Sequence, residues 1–121
     1  MHRVELPDED LTSFGSEQVS QRPLARVLEP LDGFAVDVLT VTPGGCVGRH
    51  PTRLWQLFAV VGGDGWVAGP DGRREPIRAG EAALWEPGEE HESGSDGGMV
   101  VCVVQSRADP TPDDVLMRSS R

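Results

Sequence analysis

Apolar positions in this chain cluster in short runs, and fifteen glycines and ten prolines punctuate them at close intervals. That rhythm predicts many short strands joined by turns, with helix nearly absent. The expected strands are Leu24–Leu28, Phe34–Val41, Leu54–Val61, Gly65–Ala68, Glu75–Ile77, Ala82–Trp85 and Met99–Gln105. Pro70-Asp71-Gly72 has hairpin-turn chemistry, with glycine supplying the positive φ, so Trp66–Ala68 is expected to pair with Arg73–Ile77. Gly62-Gly63-Asp64-Gly65 reads as a second bend. A phosphate cradle there would need a following Lys-Ser/Thr and an opening helix, and neither pattern is present.

Side chains alternate across a strand, which puts Gln56, Phe58 and Val60 on one face of Leu54–Val61 and Trp55, Leu57, Ala59 and Val61 on the other. Both faces are largely apolar, whereas a strand with one face in water shows polar residues there. The second face therefore calls for cover from another sheet, a terminal segment or a second subunit. Met99–Val104, an unbroken apolar run, makes the same demand. The ends differ in character: residues 1–22 are polar and acidic and read as an N-terminal arm, residues 23–108 as the barrel-forming unit, and residues 109–121 as a polar tail interrupted by Val115, Leu116 and Met117.

A length of 121 residues suits one domain with a single core. Twenty acidic residues against eleven Lys plus Arg give a net charge of −9, and that field repels phosphate backbones and anionic lipid. Nucleic acid and membrane are therefore not expected as partners. Arg49 and Arg53 are local exceptions, able to reverse the field at a pocket mouth. The first ten residues lack the apolar stretch of a secretory signal, and no segment approaches the roughly 18 apolar residues of a membrane span, so a cytoplasmic location is expected. Cys46 and Cys102 stand in or beside apolar runs with no CxxC spacing and read as buried free thiols. No Ser-His-Asp order, paired-carboxylate spacing or nucleotide fingerprint supports a hydrolase, glycosidase or dehydrogenase.

Candidate chemistry rests on two histidines set in glycine-spaced frames. The first frame runs from Gly44 through His50, Thr52 and Gln56 to Gly63; the second runs from Gly80 through Glu86-Pro87-Gly88 and His91 to Ser95. Together they resemble the two motifs of the cupin family, with Thr52 where the family has a histidine, Gln56 where it has a glutamate, Glu86 in place of proline and Ser95 in place of asparagine. The resemblance implies an all-β fold, a double-stranded β-helix or jelly-roll barrel, commonly dimeric. It also implies a divalent metal, Fe, Mn, Zn or Ni, at His50, Gln56 and His91. Losing an imidazole and a carboxylate weakens such a site, because a threonine hydroxyl and a neutral amide are poor donors. The alternative is a metal-free polar lining of an apolar cavity.

Glu89 is the first carboxylate to consider as a replacement ligand, since an extended strand through His91 puts Glu89 and Ser93 on its face; Glu86 is the second. Phe58, on the face of Gln56, and Trp85, in the second frame, are candidates to wall a pocket for an apolar or aromatic ligand, with plain core packing the alternative for each. The expected function is small-molecule binding by His50, Gln56, Phe58, Trp85 and His91, metal-free or weakly metallated, in a homodimer. The alternative is a metal-dependent oxygenase, isomerase or cyclase, and the sequence identifies no catalytic residue.

Overall fold

The computed structural model describes residues 1–3, 5–27 and 33–111, with only the backbone of residues 25–27. Eight strands follow in order: β1 (Glu9–Asp10), β2 (Glu17–Val27), β3 (Phe34–Pro51), β4 (Trp55–Ala68), β5 (Arg74–Arg78), β6 (Ala82–Trp85), β7 (Glu90–Gly94) and β8 (Met99–Ser106). A 3₁₀ turn, Ser13–Gly15, separates β1 from β2. All pairings are antiparallel. The expected all-β barrel is what forms. Leu28 and the triplet Val115–Met117 lie outside the described residues.

Two long strands, β3 and β4, organise the barrel, and each changes partner along its length. The first half of β3, Phe34–Val41, pairs with β8, while Cys46–Pro51 pairs with β7. Likewise the first part of β4 pairs with β8 and its last residues, Trp66–Ala68, with β7. β7 and β8 thus bridge the same pair of strands at opposite ends, and the sheet closes on itself. Where β4 changes partner, the register shifts between Val60 and Gly62. Gly63 there has φ +72, and a Cβ on it would stand 2.2 Å from the Gly98 carbonyl oxygen. The expected bend at Gly62–Gly65 is therefore a bulge inside one continuous strand.

The Pro70–Gly72 hairpin forms as expected: Asp64–Ala68 pairs with Arg74–Arg78, and Gly72 at φ +71 donates its N–H to the Gly69 carbonyl at 3.0 Å. β2 begins at Glu17, so the polar stretch before residue 23 enters the sheet, and its inward Val19 is only 3% exposed. Pro23 costs little there, because it sits at a register shift beyond the reach of the two-residue β1.

Inward residues form layers whose polarity changes along the barrel. Leu39, Val101 and Val60 pair across β3, β8 and β4 as one buried apolar layer; next come Asp37, Val103 and Phe58, and then Gln105 with Gln56. One end is dry and the other polar. Outward, Val36, Val104, Leu57 and Leu84 line up across four strands, with Val38, Cys102 and Ala59 beside them, all half-buried. Among the described residues no helix is long and apolar enough to cross a membrane.

Candidate functional site

The polar end of the barrel is where the two frames meet. His50 and His91 are direct cross-strand partners between β3 and β7, which puts their ring centroids 4.4 Å apart at an interplanar angle of 56°. Gln56, on β4, pairs in register with Gln105 of β8 and Trp85 of β6. His50, Gln56, His91 and Gln105 line a half-open cavity of about 160 Å³ together with Asp37, Leu39, Phe58, Ser93 and Val103, with Leu11 and Phe14 also on its wall. His50, Gln56, Phe58 and His91 come together as expected.

Trp85 reaches the cavity only through His91. Its indole stacks on that imidazole at 4.4 Å and meets Phe58 edge-on at 5.6 Å, while its other side faces an outer groove between β5 and β6. With Phe14 stacked on His50 at 3.8 Å and 6°, five rings touch in sequence from the surface to the core.

The substituted motif positions Thr52 and Ser95, and the carboxylates Glu89 and Glu86 considered as replacement ligands, point elsewhere. Thr52 is buried but donates its hydroxyl to the Leu54 carbonyl at 2.7 Å, and its backbone holds the β6–β7 loop through Gly88 and Glu89. Glu89 accepts the Glu86 N–H on its carboxylate at 2.6 Å, and the Glu86 side chain is exposed. Ser95 donates to the Asp64 carbonyl at 2.6 Å and accepts the Gly98 N–H at 2.8 Å, fixing the turn before β8. Nor does Arg49 supply free positive charge. Its guanidinium pairs with Glu90 at 2.8 Å and donates to the carbonyls of Gly69 and Pro70.

Both imidazoles are oriented by main-chain carbonyls two residues before them, Nδ1 of His50 lying 2.7 Å from the Gly48 oxygen and Nδ1 of His91 3.5 Å from that of Glu89. This favours the Nδ1–H tautomer and leaves Nε2 with its lone pair. The Gln56 amide takes up that lone pair on His91: Gln105 donates to its Oε1 at 3.1 Å, and its Nε2 faces His91 Nε2 at 3.3 Å. Burial first, and then the neighbouring His50, lower the pKa of His91 from 6.5 to about 4; Arg49 adds to this and the Glu89 carbonyl opposes it. His91 is therefore neutral at pH 7, an acceptor and not a cation.

This donor set does not fit a tightly held metal. The amide oxygen and the His91 lone pair are both engaged by protein donors, and among the described residues no three His, Cys, Asp or Glu side chains group closely enough to share an ion. Three polar residues of the cavity, Gln21, Asp37 and Gln105, escaped the sequence reading. Asp37 is 4% exposed in the middle of an inward apolar alternation with Leu39 and Val41, and a charge on a core face is itself a signal. Gln105 closes the run Met99–Val104 and was read only as a strand end.

No family model and no curated protein matches the sequence. Solved structures do match in fold. The polyketide cyclase RemF from Streptomyces resistomycificus superposes with TM-score 0.74 at 23% identity, covering 100% of this chain and 94% of that one. A cupin-like protein from Thermotoga maritima gives 0.75 at 16% identity over 93% and 86% of the two chains. A predicted oxalate decarboxylase from the same organism gives 0.69 at 19% identity over 84% and 94%. The shared feature is the barrel, on which unrelated chemistries are built.

Proposed function

We propose that this chain, a cupin by its fold, binds a neutral, hydroxyl-bearing small organic molecule inside the polar end of its barrel. The observation that carries this reading is the convergence of His50, Gln56, His91, Gln105 and Asp37 on one cavity walled by Phe58, Val103 and Leu39. A few polar groups on an otherwise apolar wall orient a ligand without repelling its carbon skeleton. Nε2 of His50, with Nδ1 turned to the Gly48 carbonyl, and the Ser93 hydroxyl suit a ligand that donates. An anionic ligand would meet Asp37 and the net charge of −9 with Arg49 already committed to Glu90.

In this reading a divalent ion at His50, Gln56 and His91 is at most weakly held. The charge balance supports a setting free of nucleic acid and anionic lipid, and the apolar outer face of β3, β8 and β4 supports a homodimer. The test is a backbone amide spectrum of the labelled protein titrated with a panel of small neutral alcohols and phenols. Binding is expected to move the resonances of His50, Gln56, Ser93 and Gln105. Shifts confined to outward positions such as Val104 and Leu57 would refute the reading.

A second reading is favoured by the end-to-end superposition on a polyketide cyclase: an enzyme that rearranges its ligand in the same cavity. Nε2 of His50, whose Nδ1 is turned to the Gly48 carbonyl, would then accept a hydrogen bond from the reacting hydroxyl. Turnover of a poly-keto substrate that disappears in His50→Ala would distinguish catalysis from binding.

A further inference from the structure

The Ser13–Gly15 turn contributes Phe14 to the cavity wall from outside the sheet. Phe14 sits there at φ +62, a left-handed conformation uncommon for a bulky side chain, and remains 54% exposed. One face of its ring lies flat on the His50 imidazole, 3.8 Å away and within 6° of parallel. Ser16 closes the turn by donating to the Ser13 carbonyl, and its hydroxyl accepts the Gly48 N–H of β3 at a long 3.4 Å. Gly48 makes the close approach possible, since a Cβ there would fall 1.6 Å from the Phe14 carbonyl oxygen. With the turn seated, the half-open cavity holds about 160 Å³, below the roughly 300 Å³ at which ligand pockets begin.

A strained, half-exposed aromatic ring laid parallel on the outermost polar ring of the site occupies the position a flat ligand would take. We propose that Phe14 is a displaceable stand-in: the ligand is a planar, conjugated ring that stacks on His50 once the Ser13–Gly15 turn swings out, enlarging the cavity. This rests on the reading of the barrel interior as the ligand site, and adds to it the shape of the ligand and the residue that competes for its place. Stacking between flat rings supplies the selectivity, because a puckered ring of the same size cannot meet the imidazole face-on.

The experiment compares 2-naphthol with decahydro-2-naphthol, which share a carbon count and a hydroxyl but differ in planarity. Binding is followed by NMR in the parent, Phe14→Ala and Phe14→Trp proteins, with contacts to Phe58 and Val103 marking an interior location. The expected result is that naphthol binds the parent at least tenfold tighter than its saturated counterpart and shifts the His50 ring protons. Removing the competing ring in Phe14→Ala should tighten naphthol severalfold, and Phe14→Trp should weaken it. Equal interior binding of the two alcohols would overturn the planar-ligand proposal while leaving the interior site standing. Interior binding of naphthol that weakens in Phe14→Ala would make Phe14 a wall and not a stand-in, and would overturn the displacement. Interior binding of neither compound would remove both the proposal and the reading beneath it. Should Phe14→Ala lose its dispersed methyl spectrum, the parent comparison and Phe14→Trp decide the matter.

Discussion

His91 couples the site to stability through a single proton. Its pKa is about 4 in the folded chain against 6.5 when unfolded, so the unfolded chain takes up the proton first as pH falls. The stabilisation is whole above pH 6.5 and is lost between 6.5 and 4, by about 3 kcal/mol in total. The difference in urea midpoint between the parent and His91→Gln should accordingly change across that window; a constant difference would mean that His91 titrates normally. Gln56 is the position at which metal affinity can be restored. In Gln56→Glu a carboxylate replaces the amide donor facing His91, so zinc or manganese should bind at least tenfold tighter, read as metal retained after dialysis against chelator. Thr52→His should add little, since the Thr52 hydroxyl is turned to the Leu54 carbonyl. The histidines and Gln56 were legible because their spacing matches a known frame. Asp37 and Gln105 carry no motif and become meaningful only when the register sets them opposite Val103 and Gln56.

Strands were legible in proportion to how little function they carry. The Arg74–Arg78 hairpin follows from its turn residues, and β8 from its apolar run. β7, Glu90-His91-Glu92-Ser93-Gly94, was considered only as a strand through His91 and not among the expected strands, because its inward positions hold His91 and Ser93, leaving no apolar alternation to detect. The second half of β3 was missed as well, since Thr42-Pro43-Gly44-Gly45 has turn composition yet forms the crossing between two strand partners. Arg49 shows how such elements are held: one side chain joins β3 to Glu90 of β7 and to the β4–β5 turn. Because the ion pair is partly exposed, Arg49→Met should cost only about 1 kcal/mol. Hydrogen exchange should meanwhile speed up at the Gly72 amide, and Arg49→Lys should not restore protection because lysine cannot reach three acceptors in one plane. Phe58→Ala, emptying the layer beneath the site, should cost about 3–5 kcal/mol in urea unfolding, with the barrel retained.

For the whole molecule, the aligned Val36, Val104, Leu57 and Leu84 predict self-association, because a sheet face this apolar is seldom left to water. Light scattering should give twice the chain mass at micromolar concentration, and Leu57→Lys should return it to monomer; a parent that is monomeric throughout would assign this face to another occupant. The polarity gradient along the barrel also separates two tasks, with the dry end around Val41, Val60 and Val101 holding the fold and the polar end free to vary. The bridging role of β8 has a further consequence, for the order of events during synthesis. Phe34–Val41 emerges early and Met99–Ser106 late, yet each is the other's partner, and β4 waits on the same strand. Until β8 arrives, the two longest strands carry open edges and an exposed apolar face, and a topology this non-local closes slowly, over roughly milliseconds to seconds. The nascent chain is thus most vulnerable to aggregation just before β8 docks, and a holdase chaperone would find its binding sites on the inner faces of β3 and β4.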